Sequence, residues 1–350
     1  MRITNQMMST SYLRDLNKNL NNLNTLNTQL TTGKEINKPS DNPFKTARIM
    51  QMYSDISANK QYNENIKDTI SWLDTTDVAL EQMGNSMQRI RELMVSAGNA
   101  SYGSDEKKAI KDEINEKVNE IAQILNTNYD GKYIFGGTKS LSKPVGVEKD
   151  INGNNILVFK DAEGNSFNEK GQMYTIIDGV LQPLPNSDDS DPTVPLDPQP
   201  NDECLKLLKQ MGASLSVEVS NGVSMSYNVP VTSVINIGDG KNIMTLLNDI
   251  VSNLDKEDSS EVIKANLEDM DLALAKINSV RGEVGAKQNR MDSAKTQNEE
   301  QNTNMTEILS KTEDIDLAEK TIELATLQAI YQASLQVSAA IIQKTLIDYI

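Results

Sequence analysis

Few residues in this chain could do chemistry, and their spacing excludes more than it offers. There is no histidine and a single cysteine, Cys204. Ser-His-Asp and Cys-His nucleophilic sites are therefore impossible, and the usual zinc ligand sets are out of reach. One cysteine forms no disulfide within the chain, so folding does not depend on oxidation. Asp202 and Glu203 stand beside Cys204 and disfavour its thiolate, which argues against a reactive thiol.

Asp150, Asn152, Asn154 and Asp161 imitate the first, third, fifth and twelfth positions of a calcium loop. That loop needs glycine at its sixth position, where Asn155 stands, and a bidentate glutamate at its twelfth. An Asx-rich hairpin turn is the expected structure. Gly238-x-Gly240 is too short for a phosphate-binding fingerprint. No acidic pair sits in an aromatic-rich stretch that would bind a sugar for glycosidase chemistry. The expectation is no catalytic residue, no cofactor and no metal, hence no enzyme.

Composition narrows the partners. A formal charge of −16 over 350 residues repels nucleic acid and disfavours adsorption to an anionic membrane. No run approaches the 18 or so apolar residues of a membrane span. Met1 to Leu30 is polar and lacks the apolar core of a cleaved signal peptide. The expectation is either a cytoplasmic place or export by a route that reads another signal. Aromatics make up only 4% of residues, which suits long thin helices with narrow apolar seams better than one compact globule.

The elements that position these residues are read from period and breakers. Leu13, Leu16, Leu20, Leu23, Leu26 and Leu30 alternate at spacings of three and four, one face of a helix. Leu324, Leu327, Tyr331, Leu335, Ile342, Leu346 and Tyr349 do much the same at the other end. Terminal stripes of this kind bury against each other or against another subunit. Eight of the first forty residues are Asn, so the N-terminal arm is weakly helical alone and suits adaptable contacts with neighbours.

Asn42-Pro43 is an N-cap and first-turn pair, predicting a helix from Phe44 to about Ala97. Ile66, Ile70, Leu73, Leu80, Met83, Met87, Ile90, Met94 and Ala97 give it a near-heptad stripe that Asp77 interrupts. Ser104 caps a second helix, with Gly131 as its expected C′ residue. Twelve of the 18 glycines lie between Gly131 and Gly240, so the middle changes period. Asn155–Lys160 and Gln172–Asp178 read as strands, and Ser214–Val219 with Val223–Val229 flank an Asn221-Gly222 hairpin turn. Pro183 to Pro200, with six of the ten prolines, reads as a solvated loop. A helix from about Lys241 to Leu254 leads out, and helical pattern returns over Ala265–Ser310, interrupted by Lys287, Asn298 and Gln301. Glu313, Asp314 and Asp316 suit the start of a last helix.

Several of these segments together resemble the flagellin superfamily of bacterial axial proteins. Leu30-Thr31-Thr32-Gly33 followed by Asp41-Asn42-Pro43 is similar to its break between the first two helices. The run containing Arg89 and Arg91 resembles the end of its second helix. Gly285-Ala286-Lys287-Gln288-Asn289-Arg290 is similar to its Gly-Ala…Gln-Asn-Arg segment, and Ser310 through Asp314 and Asp316 to the break before its terminal helix. Tyr133-Ile134-Phe135-Gly136-Gly137-Thr138-Lys139 and the ending Thr345–Ile350 point, within the superfamily, to its hook-associated junction branch rather than the filament subunit.

The resemblance implies a mainly α fold: an elongated rod of long paired helices from both termini, with a β-rich (α+β) outer insert. The implied divisions are an inner arm at 1–40, shell halves at 41–138 and 256–311, the insert at 139–255 and a second inner arm at 312–350. It implies a structural subunit at the hook–filament junction of the bacterial flagellum, self-assembling through its terminal helices. Export would be unprocessed through the flagellar type III channel, with a cytoplasmic chaperone holding the C-terminal region. Partners would be further copies, the other junction protein, flagellin and the filament cap. A filament subunit and a cytoplasmic coiled-coil binding module are the alternatives.

Overall fold

The computed structural model describes residues 5–98, 104–177, 180–183, 200–238, 240–254 and 260–347. Three helices come first: α1 at Asn5–Thr32, α2 at Pro43–Ala97 and α3 at Ser104–Leu125. Strands follow: β1 Asn128–Tyr129, β2 Lys132–Tyr133, β3 Val145–Lys149, β4 Asn155–Lys160, β5 Ser166–Phe167, β6 Met173–Ile177 and β7 Val180–Pro183. Next come α4 at Asp202–Met211, β8 at Ser216–Ser220, β9 at Val223–Ser226 and α5 at Val231–Ile235. The chain continues through β10 (Asn236–Gly238), β11 (Lys241–Asn242) and α6 (Ile243–Leu254) to α7 (Ser260–Glu313) and α8 (Leu317–Ile347). The fold is mainly α with long terminal helices and a small β-rich insert, as expected. It divides into two compact units, Met1–Gln61 with Glu299–Ile350, and Tyr62–Asn298.

In the Tyr62–Asn298 unit the core is a heptad seam. Ile66, Leu73, Leu80, Met87 and Met94 recur every seven residues on α2 and are all but fully buried. Thr69, Thr76, Met83, Ile90 and Ala97 form the companion row, also buried. The two threonines are tolerated because their hydroxyls donate back to the carbonyls of Asn65 and Trp72, at 2.7 and 2.8 Å. Helix α7 answers with Met270, Ile277, Val280, Val284 and Met291, and α3 with Ile114, Val118, Ile121 and Leu125. Unbranched methionines fill the irregular gaps of such a seam at little rotamer cost.

Strands β3 to β7 form an antiparallel meander in sequence order, against which α3 and α6 pack. Three two-stranded hairpins stand apart from it: β1–β2, β8–β9 and β10–β11. Phe159 and Phe167 stack at 5.7 Å in the interior of the meander.

In the other unit α1 packs along α8, and Ile49, Ile56 and Leu309 make a small core backed by Ile36, Met52 and Met305.

Several boundaries differ from the sequence expectation. Helix α3 ends at Leu125, and Gly131 is not its C′ residue. Asp130 and Gly131, with φ of 50° and 75°, instead turn the β1–β2 hairpin. An Asp-Gly pair with positive φ at both positions closes a two-residue turn, and that preference overrides the capping role. Asn155–Lys160 forms as β4 with the expected limits, while β3, β5 and α4 were not foreseen. Lys241 and Asn242 pair in β11, so α6 starts two residues later than expected, with Asn242 Oδ1 accepting from the Thr245 amide at 2.7 Å. Residues 184–199 of the proline-rich stretch lie outside the described residues.

Candidate assembly interface

The two arms carry the apolar rows read from the sequence, and the single chain covers them unevenly. Leu26 is buried, and Leu16, Leu23 and Leu30 are half-buried, whereas Leu13 and Leu20 are exposed. On α8, Leu324, Leu327 and Tyr331 are half-buried and Leu335 is exposed. Ile342 and Leu346 fall within α8, but their side chains, like Tyr349 as a whole, lie outside the described residues. The Tyr12 hydroxyl donates to the Ser334 carbonyl and fixes the register of the pair.

Helix α8 holds more apolar residues than one stripe accounts for. Leu317, Ile322, Ile330 and Val337 are exposed, and the last three fall outside the seven-residue row of Leu324 and Tyr331. A helix apolar all round is normally one that is surrounded. The sequence reading found the stripe that faces α1 and missed this second face, whose signal was the high apolar content of the last arm. On α1 the hydroxyls of Thr25, Thr28, Thr31 and Thr32 donate back to main-chain carbonyls, at 3.0, 2.9, 2.7 and 2.9 Å.

The two motif-bearing breaks form one structure. Gly33, with φ of +73°, closes α1 as its amide donates to Gln29 O at 2.8 Å. Glu35 N then donates to Glu313 O at 2.6 Å, and Ile315 N to Gly33 O at 3.1 Å, so Lys34 and Asp314 pair as an antiparallel bridge. The Lys34 ammonium ion-pairs with Glu313, and the Tyr53 hydroxyl donates to the other carboxylate oxygen at 2.6 Å. Hydrogen bonds that the ammonium donates to Glu313 and to the Tyr53 oxygen push the Lys34 pKa upward. Asp41, Asp314 and Asp316 make local bonds, and only Asp316 caps a helix, α8. Asp41 accepts from Lys38 N at 3.0 Å, Asp314 from the Ser310 hydroxyl at 2.6 Å, and Asp316 from Ala318 N at 2.8 Å. Glu313 was expected at the start of the last helix but ends α7, and its pairing with Lys34 and Tyr53 could not be read from the sequence, because partners 279 and 260 positions apart leave no local pattern.

Motif residues in the other unit are ties between helices. Arg89 bonds Glu113 of α3 at 2.9 Å, and Arg91 bonds Asp271 of α7 at 2.6 Å. Gln288 donates to Asp74 at 2.7 Å. Asn289 and Arg290 are exposed, and a Cβ at Gly285 would meet nothing within 4 Å. Phe135 is fully buried, and its carbonyl accepts from Val231 N at 2.9 Å. Gly137 has φ of +60°, and a Cβ there would strike the carbonyls of Gln210 and Met211, so only glycine fits.

The calcium-like spacing folds as turns. Asp150 Oδ1 accepts from the amides of Asn152 and Asn154, at 2.7 and 3.0 Å. Asp161 lies at the far end of β4 and accepts from Asn165 N at 2.7 Å in the next turn. Six residues of strand separate the two carboxylates, about 20 Å, so they do not share an ion. Cys204 is buried, and burial followed by Asp161 and Glu203 raises its pKa.

Known proteins match the chain at both ends. The profile of the bacterial flagellin N-terminal helical region matches residues 3–140, and that of the C-terminal helical region residues 267–350. A flagellin from Clostridium tyrobutyricum is 30% identical over 138 residues, covering 39% of this chain and 37% of that protein. A phase 1 flagellin from Salmonella naestved is 33% identical over 129 residues, covering 37% of this chain and 25% of that protein. The matched stretch thus spans well under half of these relatives. A solved structure described as a flagellar hook-associated protein, from Vibrio parahaemolyticus, shares the fold with a TM-score of 0.57 and 18% identity, over 78% of this chain and all of that one.

Proposed function

Because the chain belongs to the bacterial flagellin family, we propose that it is a structural, non-enzymatic subunit of the flagellum that assembles through its terminal helices at the junction between hook and filament. The observation that carries this reading is the uncovered apolar surface of α8. Leu317, Ile322, Ile330 and Val337 are exposed in the single chain, although α1 packs along the same helix. Surface of that kind, on a helix paired with the other chain end, is buried when copies pack around a common centre.

The junction placement is supported by Tyr133 to Lys139, where Phe135 and Gly137 are fixed against α4 and α5 as a built lead-in to the insert. The filament reading is supported by the curated relatives, which are flagellins. On the junction reading the partners are further copies, the other junction protein, flagellin and the filament cap, with an export chaperone at the C-terminal region. The protein would lie outside the cell as part of the flagellum. Immunogold labelling of intact flagella tests the placement: a single band at the hook end is expected, and labelling along the filament assigns the chain to the filament instead.

A further inference from the structure

The break between α1 and α2 and the break between α7 and α8 meet in one joint, and its side chains go further than the main-chain bridge. Glu313, the last residue of α7, is buried, and both oxygens of its carboxylate are taken. One accepts from the Lys34 ammonium and the other from the Tyr53 hydroxyl of α2. The same ammonium donates to the Tyr53 oxygen at 2.9 Å and stands 5.4 Å from the centre of its ring, so the three side chains close a cycle. Glu35 extends the joint to both neighbouring helices. Its carbonyl accepts from the Gln29 side chain in the last turn of α1, at 2.7 Å, and its carboxylate pairs with Lys45 in the first turn of α2, at 2.8 Å. Ile36, next in the chain, packs on the small core of Ile49, Ile56 and Leu309.

A break between two helices often serves as a hinge. These two are bonded to each other through main chain and a buried carboxylate, and together they fix where both arms begin. From the Lys34–Asp314 bridge α1 runs back and α8 runs forward, as antiparallel neighbours. Tyr12, 22 positions before Lys34, meets Ser334, 20 positions after Asp314, so the arms stay nearly in step. The Asn-rich α1 is a weak helix former, and bringing two distant chain segments together costs conformational entropy. A joint built with the ends of α2 and α7 supplies that closure before the arms pair. We propose that Lys34, Tyr53 and Glu313 are positioning residues for assembly. They hold α1 and α8 in register as one element, so that the exposed apolar residues of α8 meet a neighbouring copy in a fixed order. The inference rests on the assembly reading above and deepens it: a second copy is met by the pair of arms in register, not by either helix alone. Every residue involved belongs to the unit of Met1–Gln61 and Glu299–Ile350.

Three full-length variants test it. Lys34→Met removes the charge and keeps the apolar stem, Lys34→Arg keeps the charge, and Glu313→Gln keeps the shape of the carboxylate without its charge. Each is followed by hydrogen exchange at the amides of Glu35 and Ile315 in the isolated protein, and by incorporation into flagella at matched export. Lys34→Met and Glu313→Gln should exchange about tenfold faster at both amides and incorporate about tenfold less, with Lys34→Arg close to the natural chain in both. The melting temperature should stay near the natural value, because the main apolar core holds none of these residues. A fall in melting that matches the loss of incorporation would make the joint merely stabilising and overturns the proposal. Like behaviour of Lys34→Arg and Lys34→Met, whether both incorporate or both fail, overturns it too, as does unchanged exchange in Glu313→Gln. Ile330→Asp separates this inference from the reading beneath it. If Ile330→Asp incorporates normally, the assembly reading falls; if it is lost while Lys34→Met incorporates normally, only the positioning role does.

Discussion

Arg281 of α7 grips Asp77 of α2 through both ends of its guanidinium fork, at 3.0 and 3.2 Å, where the α2 heptad row is flanked by charge. Asp77 reads in the sequence as a defect in an apolar stripe. In the fold it stands beside the row that includes Thr76 and accepts from Arg281. Both side chains are about one third exposed, so solvent screens the pair. A double-mutant cycle with Asp77→Asn and Arg281→Gln, followed by urea unfolding, should give a coupling of about 1 kcal/mol. Simple additivity of the two changes would show that the contact contributes nothing to holding α2 to α7.

Asn298 is the sharper case. It falls in the same seven-residue row as Met270, Ile277, Val284 and Met291, yet it is 2% exposed and its side-chain amide donates to Val219 O at 2.7 Å. The polar residue occupies a core position because the β8–β9 hairpin presents a main-chain carbonyl there. Asn298→Leu, which completes the apolar row, should therefore destabilise the protein by about 1–3 kcal/mol, since it strands a buried carbonyl. A higher melting temperature for the leucine variant would mean the position is ordinary core.

These two residues show what was legible and what was not. Helix periods, the breaks at Gly33 and Asp314, strand β4 and the Asn221-Gly222 turn are local signals, and each appears where its residues place it. The interruptions Lys287 and Asn298 were visible as interruptions only, because their partners Asn228 and Val219 are far away in sequence. The aromatic cluster around Trp72 was missed for the same reason. Only folding brings Tyr129 and Tyr227 to Trp72 of α2. Of the motif residues noticed for their resemblance, Arg89, Arg91 and Gln288 tie helices together and Asp316 caps α8.

Two glycines with positive φ should respond unequally to alanine. At Gly33 a Cβ meets nothing within 4 Å, so Gly33→Ala carries only the left-handed backbone cost of about 1 kcal/mol. At Gly137 the same backbone cost is joined by a collision with two carbonyls of α4, and the loss should exceed about 2 kcal/mol. Equal shifts in melting temperature would contradict the close approach of Gly137 to Gln210 and Met211.

Lys287 gives a pH dependence with a defined sign. Burial pushes its pKa below the ordinary 10.5, Glu283 opposes the shift, and its ammonium donates to Asn228 O at 3.0 Å. The unfolded chain therefore binds this proton more tightly than the folded one, and the charge costs stability at neutral pH. That cost is relieved as pH rises through the folded value toward 10.5. Relative to Lys287→Met, the natural protein should gain stability across the window just below 10.5. Taking the difference between the two proteins cancels the titration of Tyr227 and other shared groups. A difference that is flat, or falls with pH, would reverse the assignment.

The last prediction separates the surface that copies cover from the surface the chain buries by itself. Ile330 and Val337 are 46% and 54% exposed on α8, whereas Leu26 on α1 is 6% exposed. A charge at an exposed site costs the single chain little, because water still reaches it, but it is expensive in an interface that excludes water. Ile330→Asp and Val337→Asp should leave the melting of the isolated protein near that of the natural chain while abolishing incorporation into flagella at normal export levels. Leu26→Asp should lower the melting temperature as well, since it breaks the α1–α8 contact within one molecule. Normal incorporation of Ile330→Asp would show that this side of α8 stays solvated in the assembled state. The apolar surface of the last helix would then need a different partner, and the assembly reading would lose the observation that carries it.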